Sequence, residues 1–230
     1  MRLKALVTIL FSFVASPVAA KFVGKLVLEP TGCEKSGTCT LSEGFGFYDS
    51  RNVGWEAAKG NVTDGASIPR WAQRFVGVPF TPEYVPASVL HDHYSKSGRP
   101  VRGWFETQRM FYEALVESGV PVDRASVLYA GVLIGSGKWI TRMKGKPCPN
   151  TMYCVQQAVV LELKQSGPTF GTTEYTESFA RMMAEIEAGR VVGMEAVEDM
   201  ARAERPGDIY LHNPSGIIRS NIEFGALATE

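Results

Sequence analysis

Along the chain the spacing of apolar positions lengthens from that of strands to that of helices. Between Phe22 and Glu29 the apolar residues Phe22, Val23, Leu26, Val27 and Leu28 crowd together as in a strand. Phe45 and Phe47, followed by Val53 and Trp55, alternate like the two arms of a hairpin turning at DSRN. A small N-terminal β-region is therefore expected. The stretch NVTDGASIPR interrupts it, because Asp64-Gly65 is a turn pair and Ile68, preceding Pro69, is pushed out of helical geometry.

Three helices are predicted next. The first opens at Pro86, a favoured first helical position, and runs to about Lys96 before Gly98 stops it. The second spans Trp104 to Glu117 and ends at Ser118-Gly119. The third runs from about Val122 to Thr141, with Ala125, Leu128, Tyr129, Val132, Leu133, Ser136 and Ile140 on one stripe. Further on, Phe179, Met182, Met183 and Ile186 share a helix face, and a shorter helix covers Glu195 to Ala203. A Met-rich stripe of this kind reads as core rather than as a ligand site. The fold class is thus α+β: a β-region and helical core over 21–150, then a helical C-terminal extension over 151–230 that packs on the core or on a protein partner.

Composition adds a compartment. The first twenty residues combine Arg2 and Lys4, an apolar run from Ala5 to Val14 and the small-residue ending Val18-Ala19-Ala20. This is the order of a secretory signal peptide, with an apolar core too short to span a bilayer. The mature chain is expected to begin near Lys21, to be exported to the periplasm or the medium, and to carry no transmembrane segment. With 24 basic and 24 acidic residues in no long run, nothing asks for nucleic acid. The four cysteines fall into two close pairs, Cys33 with Cys39 and Cys148 with Cys154, and two small disulfide loops are the simplest connectivity. A zinc site is disfavoured, since neither pair has the short two-residue spacing and no histidine lies near them.

Candidate chemistry centres on PASVLHDHYSKSG, where two of the three histidines flank an aspartate. On the second helix the stripe Trp104, Gln108, Phe111, Leu115 is apolar except at Gln108, so this amide faces the packing side and needs a partner there. His91 is the natural candidate, and backbone is the alternative. Asp64 and the unhindered carbonyl of Gly65 sit in an irregular loop; with Asp92 they offer the oxygens that a hard cation such as calcium requires. His93, two residues from His91, points to the other side of the helix and is expected at the rim, which argues against a two-histidine zinc site. His212 lies in a turn. GVLIGSGKW is no phosphate loop, because its glycine spacing is wrong and Trp139 stands where Ser or Thr is needed; close helix packing through Gly131, Gly135 and Gly137 accounts for it better.

TDGASIPRWAQRFVGVPFTPEYVPASVLHDHY, with QRMFYEAL and LYAGV after it, resembles the bacterial and phage domain of unknown function 1353, whose members carry a TD-x-AS-x-P loop, an HD helix and an F-x-x-A helix. More distantly it is similar to the secreted prokaryotic phospholipases A2, in which a TD loop, a G-x-P-F stretch and an HD-x-x-Y helix precede an S/R-x-x-D-x-x-F-Y-E helix. The shared segment runs from about Asn61 to Trp139. The second resemblance implies a phospholipase A2-like three-helix unit. It implies His91 as the base that takes a proton from water, Asp92 as a calcium ligand, and Asp64 and the carbonyl of Gly65 as loop ligands. The cation would polarise the ester oxygen.

Two positions depart from that pattern. The orienting aspartate is Gln108 here, which can hold the imidazole but brings no charge to the imidazolium. Glu106 cannot substitute, being about 200° around the helix from Gln108. The tyrosine four residues past the histidine is Ser95, with Tyr94 one step early; Tyr129 is an alternative source of a phenol. The expectation is metal-assisted hydrolysis of a phospholipid or other envelope ester, with calcium. The rivals are a non-catalytic envelope or surface interaction protein and a metal-dependent peptidoglycan hydrolase.

Overall fold

The computed structural model describes residues 19–96, 101–145 and 158–220. Residues 1–18 of the expected signal peptide lie outside this range, as do Cys148, Cys154 and Gly98. The fold is α+β.

The N-terminal β-region is two small antiparallel sheets. One has the order β1 (Lys21–Val23), β4 (Phe45–Tyr48), β5 (Gly54–Ala57); the other pairs β2 (Leu28–Glu29), β3 (Cys39–Leu41) and β6 (Val62–Thr63). The β4–β5 hairpin turns at DSRN as expected. Asp49, only 1% exposed, organises the turn: its carboxylate accepts the backbone N–H groups of Arg51 at 3.0 Å and Val53 at 2.8 Å, and the Trp55 indole N–H at 3.2 Å. Buried Phe45, Phe47 and Trp55 then face the helices. Cys33 and Cys39 form a disulfide that closes the loop before β3.

After a single turn of helix, α1 (Gln73–Val76), come α2 (Val85–Ser95), α3 (Trp104–Glu117) and α4 (Val122–Gly135). α4 is the central element, buried on all sides from Ala125 to Gly135. It packs on α3 on one side and on α5 (Thr173–Glu187) and α6 (Met194–Glu204) on another. The C-terminal helices therefore seat on the core: Tyr175, Phe179, Met182, Met183 and Ile186 join the same buried cluster as Leu90, Phe111 and Leu133. Each fully buried side chain of this size contributes about 2 kcal/mol. The close approach depends on Gly135, where a Cβ would lie 2.4 Å from the Tyr175 ring.

Two features differ from the sequence reading. The third helix ends at Gly135 instead of near Thr141, and β7 (Lys138–Gly145) begins three residues later. Gly135-Ser136-Gly137 breaks the helix, with Ser136 in extended conformation, and the β-branched Ile140 and Thr141 continue as strand. Ser136 and Ile140 match the helical stripe only by coincidence of spacing. The C-terminal extension is also not purely helical. β8 (Ala158–Ser166) pairs antiparallel with β7, and β9 (Ile217–Ser220) pairs parallel with β7, giving the order β8-β7-β9. No helix among the described residues is long and apolar enough to cross a membrane.

Candidate functional site

The site is built where α2 passes between the loop after β6 and the inner face of α3. His91 is on the α3 side. Its Nε2 lies 2.9 Å from Gln108 Oε1, and its ring packs on Phe111 with centroids 4.8 Å apart. An amide oxygen only accepts, so Nε2 carries the proton and Nδ1 keeps its lone pair. Ser95 Oγ lies 3.5 Å from Nδ1. Burial disfavours the imidazolium and, despite the Gln108 hydrogen bond, lowers the His91 pKa to about 4, with the Lys96 charge acting in the same direction. The ring is neutral at pH 7. Gln108 is fully buried, and its Nε2 has no hydrogen-bond partner among the described residues.

Asp92, the next residue, turns toward β6. Its Oδ2 accepts from Thr63 Oγ1 at 2.7 Å and from the Asp64 backbone N–H at 3.3 Å. At 4% exposure, burial pushes its pKa up to about 6, against the pull of Lys96 and Thr63. Asp64 and Asp92 are brought together as expected, but by the chain's own cation: Lys96 Nζ is 2.5 Å from Asp64 Oδ1 and 3.0 Å from Asp92 Oδ2. Burial opposes the Lys96 charge, yet the two carboxylates outweigh it and raise its pKa.

The loop itself is set by Gly65. Its φ of 77° is one that residues with a side chain rarely adopt, and a Cβ there would sit 2.5 Å from the Pro79 carbonyl. That close approach lets the Ala66 N–H donate to Pro79 O at 2.9 Å, which fixes the TD loop against the segment before α2.

Two hollows flank this arrangement. One, of about 430 Å³, is lined by Asn61, Asp64, Asp92, His93 and Lys96. His93 sits here at the rim, its Nδ1 3.3 Å from Asn61 Oδ1. The other, of about 690 Å³, is an apolar groove formed by Ala66, Ile68, Trp71, Pro79 and Phe170, with Asp64 at its edge. His91 lines neither.

Other candidates lie elsewhere. The Tyr129 hydroxyl donates to Glu198 at 2.8 Å and does not serve His91. Glu106 stands 3.7 Å from Arg51 at the surface. His212 is exposed in the turn after α6. Among the described residues one group of metal-ligating type is tight enough to hold an ion, Cys33, Glu34 and Cys39, but its two sulfurs are bonded to each other and are not thiolates. Lys96 and Thr63 were not singled out in the sequence. Lys96 carried a signal, since it follows Asp92 by four residues on a helix.

The geometry defines a class: an α+β protein in which an HD helix is clasped between a TD loop and a second helix. Residues 39–132 match the model of the family described as Protein of unknown function (DUF1353). Two proteins of Sinorhizobium fredii (strain NBRC 101917 / NGR234) are similar to the chain. Uncharacterized protein y4iH is 39% identical over 116 residues, which is 50% of this chain and 48% of its own length. Uncharacterized protein y4jT is 31% identical over 153 residues, 62% of this chain and 45% of its own. The chain thus spans about half the length of the curated relatives it matches. No solved structure matches it.

Proposed function

We propose that the protein is an exported lipid-ester hydrolase in which His91 activates water. The observation that carries this reading is the His91–Gln108 hydrogen bond at 2.9 Å. It fixes the tautomer that leaves Nδ1 as a neutral, unprotonated acceptor, the form a general base requires. The groove beside Asp64 supports a lipid, because Ile68, Trp71, Pro79 and Phe170 give its walls room for an acyl chain while Ser67, Arg70 and Thr176 offer groups for a polar head.

An ester oxygen bound beside Asp64 would need positive charge. Lys96 supplies that charge, paired to Asp64 and Asp92. Its side chain is 46% exposed; were it to swing out, Asp64, Asp92 and the carbonyl of Gly65 would be the oxygens a calcium ion could take. Such an ion polarises an ester carbonyl. The residues of the chain do the rest: Gln108 orients the ring, Phe111 packs against it, and Thr63 holds Asp92 in place.

A second reading, a non-catalytic envelope interaction protein, is favoured by the Lys96 clasp, which pairs one ammonium with both carboxylates and ties the TD loop to α2 as a structural staple would. One experiment separates the two. Purified mature protein is incubated with mixed phospholipid vesicles and, in parallel, with peptidoglycan, each with calcium, zinc or chelator. Fatty-acid release that disappears in His91→Ala is the expected result. No release under any condition removes the hydrolase reading, and release of muropeptides instead redirects it to the cell wall.

A further inference from the structure

The other feature that asks for a partner is β8. It is the outer strand of the order β8-β7-β9, and each side chain described on it, from Leu161 to Ser166, is exposed. By contrast, Trp139 and Ile140 on the neighbouring β7 are buried. Among the described residues no strand pairs with the outer edge of β8, and an edge carrying Leu161 at 69% exposure and Leu163 at 44% is a template for another strand. Ile217 of β9 lies on the same face, since it and Leu163 are both paired with Thr141.

We infer that this edge pairs with the same edge of a second copy, antiparallel, about a two-fold axis through Leu163. The register follows from the pleat and the charges. A two-fold perpendicular to the sheet pairs residues whose side chains share a face, so the axis passes through a residue and not between two. An axis through Glu162 sets two carboxylates face to face, and one through Lys164 sets two ammonium groups face to face. An axis through Leu163 places each Glu162 opposite the Lys164 of the other copy, twice, with Leu163 against itself. Directly opposed unlike charges stabilise a strand pair and like charges oppose it. Glu162 also stands opposite Arg142 across its own hairpin, which keeps the carboxylate at the edge within a row of alternating charge. The paired edges form one continuous six-stranded sheet, a closed dimer with no further edge at β8.

Reciprocal charge reversal tests the pairing. The full mature chain is run in sedimentation velocity over a concentration series, with light scattering for mass. Wild type is expected to reach twice the monomer mass. Glu162→Lys and Lys164→Glu each place like charges in opposition and are expected to stay monomeric with unchanged circular dichroism. Their equimolar mixture restores unlike pairs and is expected to recover the dimer. A monomeric wild type at all concentrations overturns the inference, as does a dimer that persists in both single variants or a mixture that stays monomeric. Should a charge reversal unfold the hairpin, Leu163→Cys replaces it. That residue faces its own copy and is linked into a covalent dimer by mild oxidation, whereas Leu161→Cys, with its two copies roughly 13 Å apart along the strands, is linked several-fold less. Equal linkage of the two also overturns the pairing.

Discussion

Two buried polar clusters meet α3 at its adjacent residues Gln108 and Arg109, and they are finished differently. At Arg109, Glu198 is 2% exposed and meets four donors: Arg109 Nε and Nη2, each at 2.7 Å, the Tyr129 hydroxyl at 2.8 Å and Arg202 Nη2 at 3.2 Å. Among the described residues, Gln108 bonds to His91 through one amide atom and leaves the other without a partner, while His91 Nδ1 has a 3.5 Å contact with Ser95. The first cluster ties α6 to α3 and α4 with its carboxylate oxygens fully engaged. The second joins α2 to α3 and still holds a base lone pair and a buried donor in reserve. Buried polar groups are ordinarily satisfied, so an incomplete cluster beside a complete one marks the place where the fold leaves capacity for something else.

The largest expected effect tests whether the missing feature of the open cluster is charge. Gln108→Asp would stabilise an imidazolium at His91, and the reverse change in a serine protease triad costs on the order of ten-thousandfold. Phospholipid turnover is expected to rise by two to four orders of magnitude, to the order of 5 kcal/mol in barrier at most. Unchanged or lower turnover, in a variant that still folds, would place Gln108 in packing alone. In the closed cluster, Glu198→Ala strands the Arg109 charge and the Tyr129 hydroxyl, and breaking a buried pair in this way costs about 3–5 kcal/mol. Urea denaturation measures it. A loss below 1 kcal/mol would show that the four-donor cluster does not hold α6 in place.

How far these clusters could be read from sequence follows from how local their signals are. The His91–Gln108 pair was legible because one amide interrupts the apolar stripe Trp104, Phe111, Leu115. The convergence of Asp64 and Asp92 is legible as oxygen chemistry, whereas the cation between them, Lys96, is signalled only by its four-residue spacing from Asp92 on a helix. β8 alternates Leu161, Glu162, Leu163, Lys164 at strand spacing, a short signal beside the longer helical periodicity of the residues that follow it. Glu198 reaches Arg109 and Tyr129 from far along the chain, and Phe170 reaches the groove beside Trp71 in the same way. No periodicity encodes such contacts; they arise only when α5 and α6 seat on α4.

Within the open cluster, neighbouring residues should titrate against each other. His91, with its pKa lowered to about 4, binds fewer protons folded than unfolded, so its contribution makes stability rise with pH from about 4 to 6.5. Asp92, raised to about 6 from an unfolded value of 3.8, binds more protons folded, so its contribution makes stability fall from about 4 to 6. Each is worth on the order of 3 kcal/mol, and in the wild type the two slopes largely cancel. Thermal unfolding in chelator across pH 4–7 should therefore be nearly flat for wild type, rise with pH for Asp92→Asn and fall for His91→Gln. Parallel curves for all three proteins would contradict the opposed burial of these groups.

The smallest effect separates an internal ammonium that competes with a metal from one that replaces it. Lys96 is half exposed, so its ion pairs are screened and hold the two carboxylates by only about 1 kcal/mol. Removing it in Lys96→Met leaves Asp64 and Asp92 facing each other without a cation, a repulsion that a bound calcium ion would relieve. If Lys96 and calcium contend for one place, calorimetry should show calcium affinity rising about tenfold in Lys96→Met, and Asp92→Asn should abolish that gain. An affinity that does not change means that calcium and Lys96 occupy different places, and the positive charge available to an ester oxygen is then the ammonium itself. In that case turnover would survive chelator and fall in Lys96→Met, so the same variant assigns the charge in either outcome.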